Sequence, residues 1–506
     1  VKKVLCLLTV ALVFCAGSVH AATASANIPL DSWIYPALDK LEGLGHIETS
    51  LQGSRPYTRL AAARLVRSAE NSERTAATPV ARELLDVLRR EFDTELRELS
   101  GDIATGSYLK PLRSMRLQGG YRSGDPSFLP RSDARQFALD YNRDGLTQEE
   151  DGAGLVSFAS EARLGSRFLL SASPLFEFDN EGTSSRLLEG KAALALGPLE
   201  ISVGRQSLWW GQGRHGSLVL TNNAKPQDML RITNPSPTLL PWVFKYLGPF
   251  RFDVFWSRLD DNRTVSDPYF GGARVNFRPL PWVELGASRT VMFGGKGRPS
   301  IDLDEFITIL GGKNLEGEED SSNSVAALDG RILLPFAYNA EIYGELGGED
   351  EAGGFISQKA WLLGLYLPRI EPSGRASLRL EYADLTVKRG RNSVWYRHSV
   401  YRSGYTYDER VMGHHVGGGA TDLFSELSIY FPKGWTLGLE LDYQRRGADQ
   451  PVWEKHLQPA LEIAWQPSRL LRISGRYAVD FVENFEFVAG RDETFHLAFL
   501  TVDLSL

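Results

Sequence analysis

From about residue 113 to its last residue the chain alternates between apolar and polar positions. Met115, Leu117, Gly119 and Tyr121 stand against Arg116, Gln118, Gly120 and Arg122. The cleanest later runs are Trp435, Leu437, Leu439, Leu441, Tyr443 and Leu471, Ile473, Gly475, Tyr477, Val479, Phe481. The partners of the first are Thr436, Gly438, Glu440, Asp442 and Gln444; those of the second are Arg472, Ser474, Arg476, Ala478 and Asp480. A period of two is that of a strand with two unlike faces. These runs are long enough to cross a bilayer at a tilt and end in aromatics, whereas strands of soluble sandwiches are mostly shorter.

The connections between the runs alternate too. Short Pro/Gly turns fall at Gly165-Ser166-Arg167, Gly197-Pro198, Gly248-Pro249, Pro279-Leu280-Pro281, Pro335, Pro368 to Gly374, Pro432-Lys433-Gly434 and Gln466-Pro467-Ser468. Between them lie long polar stretches, roughly 124–154, 179–185, 208–240, 259–270, 293–324, 347–355, 388–421, 446–456 and 483–494. Tight turns on one side and long loops on the other are the signature of an outer-membrane barrel. The expectation is an all-β transmembrane fold, a closed antiparallel barrel of about 18 strands over 113–506. A short extra strand at Phe137 to Tyr141 is the alternative in the first loop. Leu500, Val502, Leu504 and Leu506 alternate to the end, as a closing strand should, although such barrels commonly end in Phe. Outer-membrane lipid, and the barrel assembly machinery during biogenesis, are the partners this implies.

Residues 28–100 have the helical period instead. Leu30-Asp31-Ser32 opens a first helix that Gly43 and Gly45 stop; Thr58 caps a second; Thr78-Pro79 starts a third, with the stripe Leu84, Leu85, Leu88, Phe92, Leu96, Leu99. We expect a small helical domain in the periplasm, docked on the barrel mouth. The order Trp33-Ile34-Tyr35, Leu38, Leu41, Gly45-His46-Ile47, Arg55-Pro56-Tyr57-Thr58-Arg59 and Ala63-Arg64-Leu65-Val66 resembles one surface-layer-homology repeat. That family binds cell-wall polymers, usually through several copies.

Residues 1–21 read as a cleaved export signal: Lys2 and Lys3, the apolar run Val4 to Ala16, then Val19-His20-Ala21. Both cysteines, Cys6 and Cys15, lie inside it, so disulfides and thiolate metal sites are not expected beyond it. A net charge of −7 argues against a nucleic-acid partner. No later stretch is long and apolar enough for a membrane helix.

Chemistry concentrates in two loops. Trp209 and Trp210 offer flat apolar faces; Gln212, Asn222 and Asn223 offer amides; Arg214 and Arg231 offer cationic forks, with His215 among them. Trp395, Tyr396 and Arg397 open a second aromatic and basic stretch that runs to His414-His415. Rings that stack on sugars, with amides and guanidinium forks for hydroxyls and carboxylates, suit an anionic polysaccharide at the external end. The bland alternatives are an interfacial tryptophan girdle and a self-packed loop. Loop 208–240, with Leu218, Val219, Leu220, Leu239, Leu240 and Trp242, should fold inward. No GxSxG is present, and His215, Ser217 and Asp228 make no recognisable triad, so an enzyme is not expected. His414-His415 lacks the spacing of a helical zinc motif, and the acids Glu316 to Asp320 do not fit an EF-hand. No cofactor or metal is expected.

The segment GRQSLWWGQGRHGSLVLTNNAKP, with the export signal, helical segment and strand number, resembles the Wzi family of capsule-assembly proteins. The resemblance spans essentially the whole mature chain and is most specific over Gly204 to Arg231. It implies an 18-stranded barrel with a periplasmic helical domain, acting as a lectin that holds capsular or extracellular polysaccharide at the cell surface. A porin-like channel for sugars or small anions is the alternative, since a barrel this wide has a lumen unless loops fill it.

Overall fold

The computed structural model describes residues 23–506 apart from 49, 73–77, 125, 131, 138, 148–151, 181, 300–302, 311–321 and 350–357. The expected export signal and the acidic run Glu316 to Asp320 lie outside the described residues. Eighteen long antiparallel strands close into a single barrel, from Tyr108–Arg122 to Glu493–Ser505. Closure is direct: the first and last of these strands pair from Ser114↔Ser505 to Arg122↔Leu497.

The period-2 pattern explains which face each residue takes. Leu439, Leu441, Leu461, Ile463, Tyr477 and Leu500 stand exposed on the outer wall, each between 38% and 56% accessible. So large an apolar surface is incompatible with water and matches a lipid-facing belt. Aromatics ring it: Trp282, Phe431 and Trp435 near the short turns, Tyr121, Tyr269 and Phe481 near the long loops. The inner wall is ionic, as in Arg476–Glu440 at 2.6 Å and Arg116–Asp503 at 2.7 Å.

Among the described residues four helices precede the barrel: α1 (Ile34–Gly43), α2 (Arg59–Glu70), α3 (Pro79–Glu91) and α4 (Asp93–Ser100). Thr58 caps α2 as expected, its Oγ1 accepting from Ala61 N at 3.2 Å. Pro79 opens α3. The apolar stripe predicted to run unbroken to Leu99 turns instead at Phe92, where α4 folds back so that Arg59 can pair with Glu91 and Glu95 at 2.7 and 2.6 Å. Leu38, Leu41, Val66, Leu85, Leu88 and Phe92 form one small core. The layer covers the short-turn end of the barrel. Lys40 Nζ donates to Pro368 O at 2.5 Å, Arg375 pairs with Glu83 at 2.7 Å, and Arg163 with Glu98 at 3.0 Å.

One expectation is corrected. The stretch 208–240 is not one long loop. It is an inward loop up to Pro226, then the strand Gln227–Thr233, then a return along the short-turn rim in which Trp242–Leu247 form a 3-10 turn. Arg231 therefore sits in the wall, and Trp242 is 81% exposed at the rim rather than folded inward. Asp228 broke the apolar alternation on the outward side, where it pairs with Arg205 at 2.7 Å. The described residues 137 and 139–141 form no strand; the first loop instead carries a short ribbon, Ser127–Phe128 with Arg135–Gln136.

Candidate functional site

The most specific stretch of the sequence ends up inside the barrel. Trp209–Trp210 do not reach the membrane interface or the outside. They pair with Ser54–Arg55 from the segment between α1 and α2, which enters the lumen from the opposite end. A loop from the long-loop side and a segment from the helical layer thus meet as a two-stranded ribbon within the lumen. Gly211 N donates to Gly53 O at 3.0 Å next to it.

Acids on nearby wall strands grip this loop by its backbone. Glu345 accepts from Gly213 N and Leu218 N, both at 2.9 Å. Glu381 accepts from Arg214 N at 2.7 Å and His215 N at 3.0 Å. Glu284 accepts from Gln52 N at 3.0 Å and Gly53 N at 2.9 Å, holding the helical-layer segment in the same way. Asp329 accepts from Gln212 Nε2 at 2.8 Å and pairs with Arg274 at 2.7 Å. A carboxylate accepting two or more N–H bonds is satisfied without water, so the loop and the wall desolvate together. The approach leaves no room at Gly211, where φ is +144° and a Cβ would run into Glu345 Oε1 and Ser217 Oγ.

Each sequence-predicted residue now has a place. Trp210 is fully buried against Phe255, and Trp209 donates its indole N–H to Gly213 O at 3.0 Å. Arg214 points toward the helical layer, where its Nε donates to Asp39 Oδ2 at 2.9 Å and its guanidinium also binds Gln52. His215 lies between Asp442 and Asp422, its ring stacked on Phe424 at 3.8 Å. Asn222 accepts at its carbonyl from Asp144 N, and Asn223 Nδ2 donates to Val411 O at 2.9 Å. Arg231 is locked to Asp253, with Nε to Oδ1 at 2.7 Å. In the second loop Trp395 and Tyr396 are buried, Tyr396 stacks on Tyr405, and Arg397 pairs with Asp449 at 2.7 Å. Apart from Arg231 in the wall, these side chains build a plug from two inward-folded loops. None of them presents an open face to a sugar in this conformation.

Electrostatics tie the plug to the helical layer. Burial disfavours the Asp39 carboxylate, but Arg214, Arg55 and Arg379 outweigh it and hold its pKa at about 2. Glu42, in the last turn of α1, opposes the helix dipole there. It is compensated by Arg278 at 2.7 Å and Arg331 at 2.9 Å, which keep it below the usual carboxylate range despite burial. Burial, opposed by Glu371 and aided by Arg369, pushes Lys40 down to about 7.

The wall acids were missed by sequence reasoning, though each leaves a trace. Glu345, for instance, is the middle one of three inward acids, Glu341, Glu345 and Glu349, spaced four apart among small or apolar residues in AEIYGELGGE. A cavity of about 540 Å³ remains between α1 and the strands around Tyr430, Glu440, Arg476 and Asp503, on the helical side of the packed loops.

The comparisons with known proteins follow this architecture. The family described as capsule assembly protein Wzi matches residues 126–497. A Klebsiella pneumoniae relative, an uncharacterized 55.8 kDa protein in the cps region, is 29% identical over 170 residues. That match covers 33% of this chain and 33% of that protein, so the chain spans about a third of the relative's length. Among solved structures, that of Wzi from Escherichia coli superimposes with a TM-score of 0.71 at 19% identity. It covers 96% of this chain and all of that one. That protein is described as an outer-membrane protein involved in group 1 capsule assembly and a carbohydrate-binding β-barrel. With the family match extending from the first loop of the barrel to its closing strand, this chain belongs to the Wzi capsule-assembly family.

Proposed function

We propose that this outer-membrane barrel binds and retains capsular or extracellular polysaccharide at the cell surface, and that the plug is the rigid floor of its binding face. The carrying observation is where the chemistry is spent. The aromatics and arginines of the inner loops are consumed by packing and ion pairs, while arginine–aromatic pairs remain at the long-loop end. Arg135, part-exposed although it pairs with Glu409 at 2.6 Å, lies over Phe128 at 5.5 Å, with Phe128 57% exposed, and Arg445 lies over Trp453 at 4.5 Å. Such pairs offer a ring face to a sugar and a fork to its acidic substituents. A shallow site of this kind is weak for one repeat and gains retention from many repeats on one polymer. The carbohydrate-binding description of the Escherichia coli protein supports the same reading.

The channel alternative is disfavoured because two loops and the Gln52–Arg55 segment occupy the lumen with their backbone polar groups satisfied by the wall. The test is polymer release from cells. Phe128→Ala combined with Arg135→Ala, or Trp453→Ala with Arg445→Ala, should shed polymer into the medium while heat-modifiable barrel abundance stays normal. Binding of an acidic polymer to purified protein should weaken as salt is raised. Unchanged retention in both double variants at normal abundance would overturn the rim assignment.

A further inference from the structure

Two imidazoles and two carboxylates converge where the inward loops meet the wall. His215 comes from the first plug loop, His415 from the second, Asp422 from the strand Ala420–Phe431 and Asp442 from Trp435–Arg446. One ligand-capable atom from each lies within 4.8 Å of all the others. His215 Nε2 is hydrogen-bonded to Asp442 Oδ2 at 3.1 Å and lies 3.7 Å from Asp422 Oδ2, His415 Nε2 is 3.2 Å from Asp422 Oδ2, and Gln444 Nε2 flanks the group at 2.6 Å from Asp442 Oδ2 and 3.3 Å from His415 Nε2. Tetrahedral ligands at about 2.0–2.1 Å from a zinc ion stand about 3.3 Å apart. These three spacings bracket that value, and the widest pair of the set lies within 4.8 Å.

A second observation is independent of the clustering. All four residues are buried, yet Asp422 Oδ2 and Asp442 Oδ1 accept no hydrogen bond, and His415 Nδ1 has no partner. Buried carboxylate oxygens without partners are costly and ask for an occupant. Asp422 Oδ2 has both Nε2 atoms close by without hydrogen-bond geometry, as ligands aimed at a common centre would have. The rings are also fixed from behind: His415 stacks on Tyr141 at 4.0 Å and His215 on Phe424 at 3.8 Å.

We infer that His215, His415, Asp422 and Asp442 form a binding site for one divalent first-row transition ion, of which Zn²⁺ is the probe. The donor set selects the class: imidazole with carboxylate suits zinc and its neighbours, whereas calcium and magnesium take oxygen ligands. Four protein ligands leave no open position, so the role is structural. The ion would tie both plug loops to two adjacent strands. Glu440, the inward residue one step nearer the helical layer than Asp442, lines the cavity described above, so that cavity reaches to within one inward position of the cluster.

The test uses full-length protein in detergent, stripped with a chelator and dialysed, then titrated with Zn²⁺. Elemental analysis should find one equivalent per chain, the melting temperature should rise with Zn²⁺, and Co²⁺ should give the intense visible bands of a tetrahedral site. Asp442→Asn and His415→Gln keep side-chain size; each should lower Zn²⁺ affinity at least about tenfold while heat-modifiable mobility stays that of a folded barrel. Failure of the stripped wild type to take up Zn²⁺ would overturn the inference, whether or not the variants fold. Uptake unchanged in both variants would overturn it as well.

Discussion

Arg214 is the residue whose removal should uncouple the two ends of the molecule. Its side chain is 11% exposed, and that of its partner Asp39 is 7%. In Arg214→Met, Asp39 keeps Arg55 at 3.3 Å and Arg379 at 3.8 Å, both farther than the 2.9 Å contact that is lost. Removing one partner of a buried pair costs about 3–5 kcal/mol when the other charge is left alone, so the remaining cations argue for less. A second route gives the same scale. Holding Asp39 at about 2 rather than 3.8 is worth roughly 2–3 kcal/mol at about 1.36 kcal/mol per pH unit, shared among its three cations. We therefore expect about 2 kcal/mol, or roughly 30-fold faster opening of the segment that Arg214 clamps. Amide exchange of peptides covering residues 34–58 in detergent reads this directly, with the barrel strands as internal control. In an Asp39→Asn background the same substitution should add little. Exchange of 34–58 unchanged by Arg214→Met, or an equal effect in both backgrounds, would refute the coupling.

Three further outcomes follow. Leu439→Arg puts a charge on the lipid face and should cost about 2–4 kcal/mol in barrel assembly, while the inward Glu440→Gln costs far less; heat-modifiable gel mobility compares them. Trp210→Ala empties a fully buried site beside Phe255 and should cost about 3–5 kcal/mol, seen as lost barrel abundance together with lost polymer. Lys40 has a folded-state pKa of about 7 against an ordinary 10.5, so below pH 7 both states are charged and folding bears the full cost of the buried ammonium. Stability of the helical layer should therefore rise as pH goes from about 7 towards 10.5. Lys40→Met should flatten that slope in urea unfolding followed by exchange of α1.

The barrel was legible because lipid enforces a two-sided strand. Leu439 and Glu440 cannot exchange faces without placing a carboxylate in hydrocarbon, so period and turn spacing carry the architecture. The plug was legible only as loop chemistry. Trp209 and Trp210 are adjacent, and neighbours in a strand point to opposite sides, so no single girdle or sugar platform takes both. That adjacency, followed by Leu218-Val219-Leu220, is the trace of a loop buried on all sides. What sequence could not give is pairing at long range. Asp39 and Arg214 are 175 residues apart, and Glu381 meets the 214–215 backbone only because barrel closure brings that wall opposite the loop. The metal-type cluster was invisible for the same reason, with His415 next to His414 in sequence but joined in space to His215 and two strands.

The plug also settles how a barrel this wide tolerates so many inward charges. An open lumen would leave Glu284, Asp329, Glu345 and Glu381 hydrated, and they would then make a cation-lined pathway. Here each is desolvated, and each is matched by N–H groups of a loop, the helical-layer segment or an arginine. The matching is mutual, since backbone N–H groups folded into the barrel would be as costly without the acids. Wall and plug therefore stabilise each other only as a pair, and a substitution on one side should loosen the other. Because Ser54–Arg55 pairs with Trp209–Trp210 inside that same network, the helical layer is part of the plug rather than an appended cap. A load on the external loops would then be carried through the barrel to the helical layer, a mechanical continuity suited to the polymer retention proposed above.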